Sequence, residues 1–216
     1  MTLACLIDDA PAARSPSALA ETVERLGLRT AYARDARIYA QDDPVSKIYR
    51  VVRGVVRTIR IAPDGRRQVG GFYESGDIFG LEPGPDHQFS AEALTDCTVQ
   101  AVRRDAVRAF AGDAELDRAI LEATRRELQR AQAHVMLLGR RNAREKVAAF
   151  LMSLAGRGEA SVELSMGRQD MADYLGLTIE TVSRTLTQLQ GEAIVEFPSS
   201  RRFRVKRWDA LEGLAA

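Results

Sequence analysis

The stretch Leu164-Ser-Met-Gly-Arg-Gln-Asp-Met-Ala-Asp-Tyr-Leu-Gly-Leu-Thr-Ile-Glu-Thr-Val-Ser-Arg-Thr-Leu-Thr-Gln-Leu189 reads as two helices joined by a tight turn. The first is expected over about Arg168 to Tyr174, because Met171, Ala172 and Leu175 fall on one face at helical spacing. Gly176 ends it, since glycine enters the left-handed region without steric cost. Thr178 is placed to cap a second helix, its hydroxyl accepting an amide hydrogen of the first turn. In that helix Ile179, Val182, Leu186 and Leu189 share a face that is expected to pack inward. The other face carries Glu180, Thr181, Ser183, Arg184 and Gln188, residue types that meet base edges and phosphates in a major groove. Turn, caps and polar face agree, so the stretch is a helix-turn-helix.

The rest of the chain must hold this reader. Its 216 residues suffice for one large domain or two small ones, each with its own core. A composition of 45% apolar and 28% charged residues is that of a folded protein. The net charge is only +1, and the ten basic residues from Asn142 onward are matched by ten acidic ones. Charge that meets DNA must therefore be local. Cys5 and Cys97, the two cysteines, support neither a disulfide framework nor a cysteine-rich metal site. The start, Met1-Thr-Leu-Ala-Cys-Leu-Ile-Asp-Asp9, lacks the basic region of a signal peptide. No apolar run approaches the ~18–20 residues of a membrane span. A cytoplasmic, thiol-reduced protein is expected.

Residues 1 to about 18 read as a loose arm, and Ser17 to Leu26 as a short helix with Leu19, Val23 and Leu26 on one face. From Arg29 to about Val102 the texture is that of short strands. Lys47 to Arg53 and Val55 to Ile61 are enriched in β-branched and aromatic residues, with Gly54 as a tight connection. Pro63-Asp64-Gly65 is a hairpin turn before a strand at about Gln68 to Tyr73. Ile78-Phe79, Gln88 to Leu94 and Thr98 to Val102 complete the series. Short strands at this spacing argue for a small antiparallel roll. A metal-dependent enzyme on such a roll needs converging histidines and carboxylates. The chain has two histidines: His87 falls in a Pro/Gly loop, where a solvated side chain is expected, and His134 lies far away in a helix. No Gly-rich phosphate loop follows a strand and opens a helix. No catalytic residue and no metal ligand is assigned.

From Arg104 to about Arg140 the pattern is helical. Leu121, Thr124, Leu128, Ala131, Val135 and Leu138 alternate in steps of three and four, the seam of a two-stranded coiled coil and hence of a homodimer. Leu116 and Ile120 lie off this seam and suit packing on the roll. Asn142 to Leu154 is another amphipathic helix, and Gly156-Arg-Gly-Glu a break. After the helix-turn-helix, Ala193 to Phe197 and Arg202 to Lys206 form a two-stranded wing around Pro198-Ser-Ser. Its tip and second strand hold Arg201, Arg202, Arg204, Lys206 and Arg207, the densest basic cluster. Arg201 and Arg202 are candidate phosphate contacts, with Arg168, Thr178 and Thr181 around the helix-turn-helix. Trp208 to Leu214 reads as a tail helix. The fold expected is α+β: arm and β-roll over 1–112, a dimerisation helix over 113–141 and a winged helix-turn-helix over 142–216.

This order of parts resembles the CRP/FNR family of bacterial transcription regulators over nearly the whole chain. Gly54 to Arg60, Asp64-Gly65 and Gly71-Phe-Tyr-Glu-Ser-Gly-Asp-Ile-Phe-Gly80 look like the family's cyclic-nucleotide-binding-like roll. Arg140 to Leu151 looks like its junction between dimer helix and DNA-binding domain. Gln169 to Arg184 is similar to its helix-turn-helix, with the Glu-x-x-Ser-Arg pattern of the FNR and FixK versions on Glu180, Ser183 and Arg184. The resemblance implies TTGA-type half-sites in an inverted repeat, read by a homodimer. The chemistry suits those bases: Arg184 can donate twice to guanine O6 and N7, Glu180 can accept from cytosine N4, and Ser183 can meet a thymine.

Departures from the family pattern select the branch. Cyclic-nucleotide binders carry an arginine before Ser/Thr-Ala, and here the run is Phe89-Ser90-Ala91, with Glu82 and Ser90 near expected places. Iron–sulfur members need an N-terminal cysteine group and one in the roll, whereas here Cys5 stands by itself and Gln100 holds the roll position. A redox-sensing cysteine of some FixK relatives is replaced by Gly167. No cofactor is expected, and the resemblance implies an activator of FixK type in oxygen-limitation or nitrogen-oxide control. RNA polymerase is an implied partner through the Ile61 to Gln68 hairpin and the Phe79 to Pro85 loop. Two alternatives stay open: a sensor gated by a small molecule in the roll, and a signalling module whose C-terminal helices bind protein.

Overall fold

The computed structural model describes residues 18–82, 84–111, 113–155 and 161–215. They fall into two compact units, one ending at Ala131 and the other beginning at Gln132. The expected N-terminal arm with Cys5 and the Gly156-Arg-Gly-Glu break lie outside the described residues.

The first unit opens with α1 (Ala18–Leu26) and continues through β1 (Leu28–Tyr32), β2 (Arg37–Tyr39), β3 (Lys47–Arg53), β4 (Val56–Ile61), β5 (Arg67–Tyr73), β6 (Ile78–Phe79), β7 (Ser90–Ala93) and β8 (Cys97–Arg103). The strands form two four-stranded sheets, β1-β8-β3-β6 and β2-β7-β4-β5. Every pairing is antiparallel, as a roll requires. Side chains alternate across each strand. In β3, Tyr49 and Val51 join Tyr39, Val56, Tyr73 and Phe79 in one core. Ile48, on the other face, packs with Leu19 and Val23 of α1 and with Val102. Gly54 holds a left-handed φ of 84°, and a Cβ there would lie 2.5 Å from the Asp96 carbonyl. Only glycine fits that connection. Phe79 is 2% exposed in β6 and Gly80 is also buried, so the expected surface loop from Phe79 to Pro85 begins no earlier than Leu81.

The single helical run expected from Arg104 to Arg140 is two helices, α2 (Arg104–Ala111) and α3 (Asp113–Leu138). Val107 of α2 turns inward against α1 and the roll, and Ile120 of α3 packs on the same cluster. Further along α3, the Tyr73 hydroxyl donates to Glu127 at 2.7 Å. Arg130 donates to Asp77 at 2.6 Å, and its guanidinium stands 5.5 Å from the Tyr73 ring centre. These contacts leave the expected seam uncovered: Leu121 is 70%, Leu128 57% and Val135 67% exposed. Ala131 is also exposed, while Thr124 and Leu138 are half-buried.

The second unit takes in the last turns of α3, so it begins before Asn142. It continues with α4 (Ala143–Leu154), β9 (Val162–Glu163), α5 (Arg168–Leu175), α6 (Ile179–Gly191), β10 (Val195–Ser199), β11 (Arg202–Val205) and α7 (Trp208–Ala215). Asn142 caps α4, its side chain accepting from the Glu145 amide at 2.9 Å. The wing has a third strand that the sequence did not mark: β9 pairs with β11 through Glu163 and Val162. Val147, Leu151, Met171, Leu175, Leu189, Phe203 and Leu211 are fully buried and form the core beneath the helix-turn-helix.

Candidate nucleic-acid interface and the interior of the roll

The local chemistry of α5 and α6 follows the sequence closely. Gly176 caps α5 in the left-handed region at φ 62°. Thr178 caps α6, its hydroxyl accepting from the Thr181 amide at 3.3 Å and lying 3.0 Å from the Thr181 hydroxyl. Val182, Leu186 and Leu189 face the core. Ile179 does not: it is 37% exposed, and the inward face includes Thr185, whose hydroxyl donates to the Thr181 carbonyl at 2.8 Å. The first turn of α6 projects beyond the core, which leaves Ile179 on the surface beside Glu180.

Glu180 and Arg184 are exposed and Ser183 is half-buried, on one face of α6. The spacing of 180 and 184 is one helical turn, so the two charges are neighbours. The Glu180 carboxyl is held below its usual range, first by its own backbone amide, then by Thr178, with Arg184 adding attraction. It is thus an ionised acceptor at neutral pH, the state needed to take hydrogen bonds from a cytosine amino group. Arg168 lies exposed in the first turn of α5.

In the wing the basic residues differ in their partners. Arg201 donates through Nη1 to the Ser165 carbonyl at 2.9 Å, tying the wing tip to the loop before α5. Glu196 stands 3.7 Å from Arg204 and 3.4 Å from Lys206, offsetting part of the cluster. Arg202 is exposed on β11. Arg144 and Glu192 form a two-pronged pair between α4 and the end of α6, and this arginine holds the Glu192 carboxyl below its usual range.

The roll interior is aromatic. Tyr39, Tyr49, Tyr73 and Phe79 are each buried, with Tyr49 and Phe79 stacked at 5.2 Å. His87 corrects the expectation of a solvated loop residue. It is 1% exposed, stacks on Tyr39 at 3.7 Å, and places Nδ1 3.2 Å from Glu82, short of hydrogen-bond alignment. Burial, followed by the Glu82 carboxylate, pushes the Tyr39 hydroxyl far above its usual pKa, so it stays protonated. The places expected for a cyclic nucleotide are taken by the chain itself. The Ser90 hydroxyl accepts from the Gln41 amide at 2.9 Å, and the Phe89 ring covers Gly70, whose Cβ would meet it at 2.7 Å. An aromatic edge and an engaged hydroxyl do not fit a ligand phosphate. Gln100, in the place of the roll cysteine, is a buried structural donor, giving hydrogen bonds of 2.9 Å to the carbonyls of Glu24 and Gly27. Gly167 is the N-cap of α5, its amide facing Asp170.

Residues 29–113 match the cyclic nucleotide-binding domain family, and residues 145–214 match the Crp-like helix-turn-helix domain family. The chain is 45% identical over 203 residues to the nitrogen fixation regulation protein FixK of Azorhizobium caulinodans, covering 90% of this chain and 82% of that protein. It is 40% identical to the transcriptional activatory protein AadR of Rhodopseudomonas palustris, covering 88% and 84%. Among solved structures, FixK2 from Bradyrhizobium japonicum superposes with a TM-score of 0.81 at 41% identity, covering 88% of this chain and 98% of that one. Among the described residues, no helix is long and apolar enough to cross a membrane.

Proposed function

Because the chain belongs to the CRP/FNR family of transcription regulators, we propose that it is a FixK-like activator that binds a TTGA-type inverted repeat as a homodimer. The observation that carries this reading is the shared outer face of Glu180, Ser183 and Arg184 on α6. Arg184 donates to guanine O6 and N7, ionised Glu180 accepts from the paired cytosine N4, and Ser183 meets a thymine. Each such contact contributes about 1–3 kcal/mol of discrimination. Arg168, Thr178 and Thr181 at the helix starts, with Arg202 and the remaining N–H groups of Arg201 in the wing, contact phosphates and set the register.

Exposure of Leu121, Leu128 and Val135 in one line of α3 supports a paired helix, with Thr124, Ala131 and Leu138 completing the seam. Two-fold pairing puts two recognition helices about one DNA turn, ~34 Å, apart. The filled interior of the roll supports control by abundance rather than by a cyclic nucleotide. RNA polymerase is the partner proposed for the Ile61 to Gln68 hairpin, where Ile61 is 60% exposed. The similarity to a nitrogen fixation regulator supports a place in oxygen-limitation or nitrogen-oxide control.

The test is Arg184→Ala in a gel shift with a TTGA palindrome. Specific binding is expected to vanish at ~150 mM salt while weak, salt-sensitive binding to any DNA persists. A variant that still protects the palindrome at that salt overturns the assignment.

A further inference from the structure

An α-helix leaves its last carbonyls without intrahelical partners, and what satisfies them fixes where the chain goes next. In α5 those carbonyls precede the turn that launches the recognition helix. The Ala172 carbonyl accepts from the Leu177 amide at 3.0 Å, inside the turn. The Tyr174 and Leu175 carbonyls are met from outside it. Tyr174 O accepts from His134 Nε2 at 2.7 Å, and Leu175 O accepts from Lys146 Nζ at 3.3 Å. His134 belongs to the last turns of α3, and Lys146 to α4.

The histidine does more than donate. Its ring lies flat on the Tyr174 ring, 4.0 Å away and 3° from parallel, and Tyr174 also meets Phe150 of α4 at 5.5 Å. One turn along α3, Leu138 lies 3.5 Å from where a Cβ on Gly176 would stand. Burial holds the His134 imidazole below its usual pKa, so the ring is neutral at pH 7 with its proton available on Nε2. On sequence His134 has no role beyond lying in a helix far from His87.

We propose that His134 is a positioning residue for DNA recognition: from the end of the dimerisation helix it fixes the Tyr174 carbonyl and ring, and so the turn from which α6 departs. The donor and the stacked face act together. The hydrogen bond sets the height of the turn along the helix axis, and the stack sets its rotation. Three residues beyond the fixed turn begins the base-reading series of Glu180, Ser183 and Arg184, so looseness at Tyr174 is carried directly to the base contacts.

This inference rests on the DNA-binding reading, and its test separates the two. His134→Phe keeps a flat ring and removes the donor; His134→Gln keeps a donor and removes the stack. Each variant is measured as the full-length dimer for thermal stability, for amide hydrogen exchange over Gly176 to Val182 without DNA, and for affinity to the TTGA palindrome and to random DNA. His134→Phe is expected to stay folded and dimeric, to exchange faster at those amides, and to lose about fivefold in palindrome affinity per half-site, as one average hydrogen bond gives, with random-DNA affinity unchanged. His134→Gln is expected to recover part of both losses. A folded His134→Phe with unchanged exchange and unchanged palindrome affinity overturns the proposal, as does equal weakening on both DNAs. If the unaltered protein prefers another sequence to TTGA, the half-site assignment fails, and the exchange comparison with the selected sequence still decides the role of His134.

Discussion

Gln100 shows how one side chain settles two questions. Its amide serves two buried carbonyls, and its Cγ lies 2.6 Å from where a Cβ on Gly27 would stand. Gln100→Ala strands both acceptors, so a loss of about 1–3 kcal/mol in unfolding free energy is expected by denaturant titration. An unchanged midpoint would show that water replaces the amide. His134 makes a pH prediction whose sign follows from burial. Its folded pKa lies below the ~6.5 of an unfolded histidine. As pH falls below ~6.5 the unfolded chain takes up the proton first, so stability is complete above that pH and declines toward the folded pKa. Melting curves of His134→Phe should therefore depend less on pH between ~6.5 and ~5 than those of the unaltered protein. His87 was misread at this scale because Pro/Gly flanks describe backbone, not burial. The pocket that swallows it is closed by the Tyr39 ring, 48 residues earlier in the chain, with Glu82 of its own loop at the edge.

At the level of elements, legibility tracked the strength of local signals. α5, its glycine cap, the threonine cap and α6 were readable because each is fixed by residues within a turn of itself. β3, β4 and β5 were readable from β-branched runs and the Asp64-Gly65 turn. β1 and β9 were not: Leu28 is 79% exposed in an edge strand, and β9 has only two residues, so neither carries an inward pattern. The division between α2 and α3 was hidden because apolar spacing runs on through Val107 and Ile120, two side chains of one cluster on two helices. The α3 seam carries its own prediction. In the proposed pairing, Leu128→Asp removes from both copies an exposed leucine that the partner helix covers, each contributing about 1.5–3 kcal/mol when fully covered, and sets two carboxylates together. Dimerisation should weaken at least ~100-fold, giving a monomer by light scattering at micromolar concentration. A dimer that survives this change would place the interface elsewhere.

For the molecule as a whole, charge is arranged rather than abundant. The net charge of +1 leaves no general attraction to a polyanion, and Glu196 offsets part of the wing cluster. In the proposed DNA complex the phosphate contacts are few, and each contributes about 0.9 to the slope of log affinity against log salt. Arg202→Ala should lower that slope by ~1 per protomer on palindromic and random DNA alike, with base preference unchanged. A changed base preference would make Arg202 a reader instead. The offset wing has a further effect in a crowded genome. Every promoter competes with about 10⁶–10⁹ non-specific sites for the same copies of a regulator. A wing muted by its own glutamate spares those copies from being soaked up by bulk chromosome. On the proposed reading of control by abundance, free protein then rises in step with synthesis, and promoter occupancy follows the rate at which the gene is expressed.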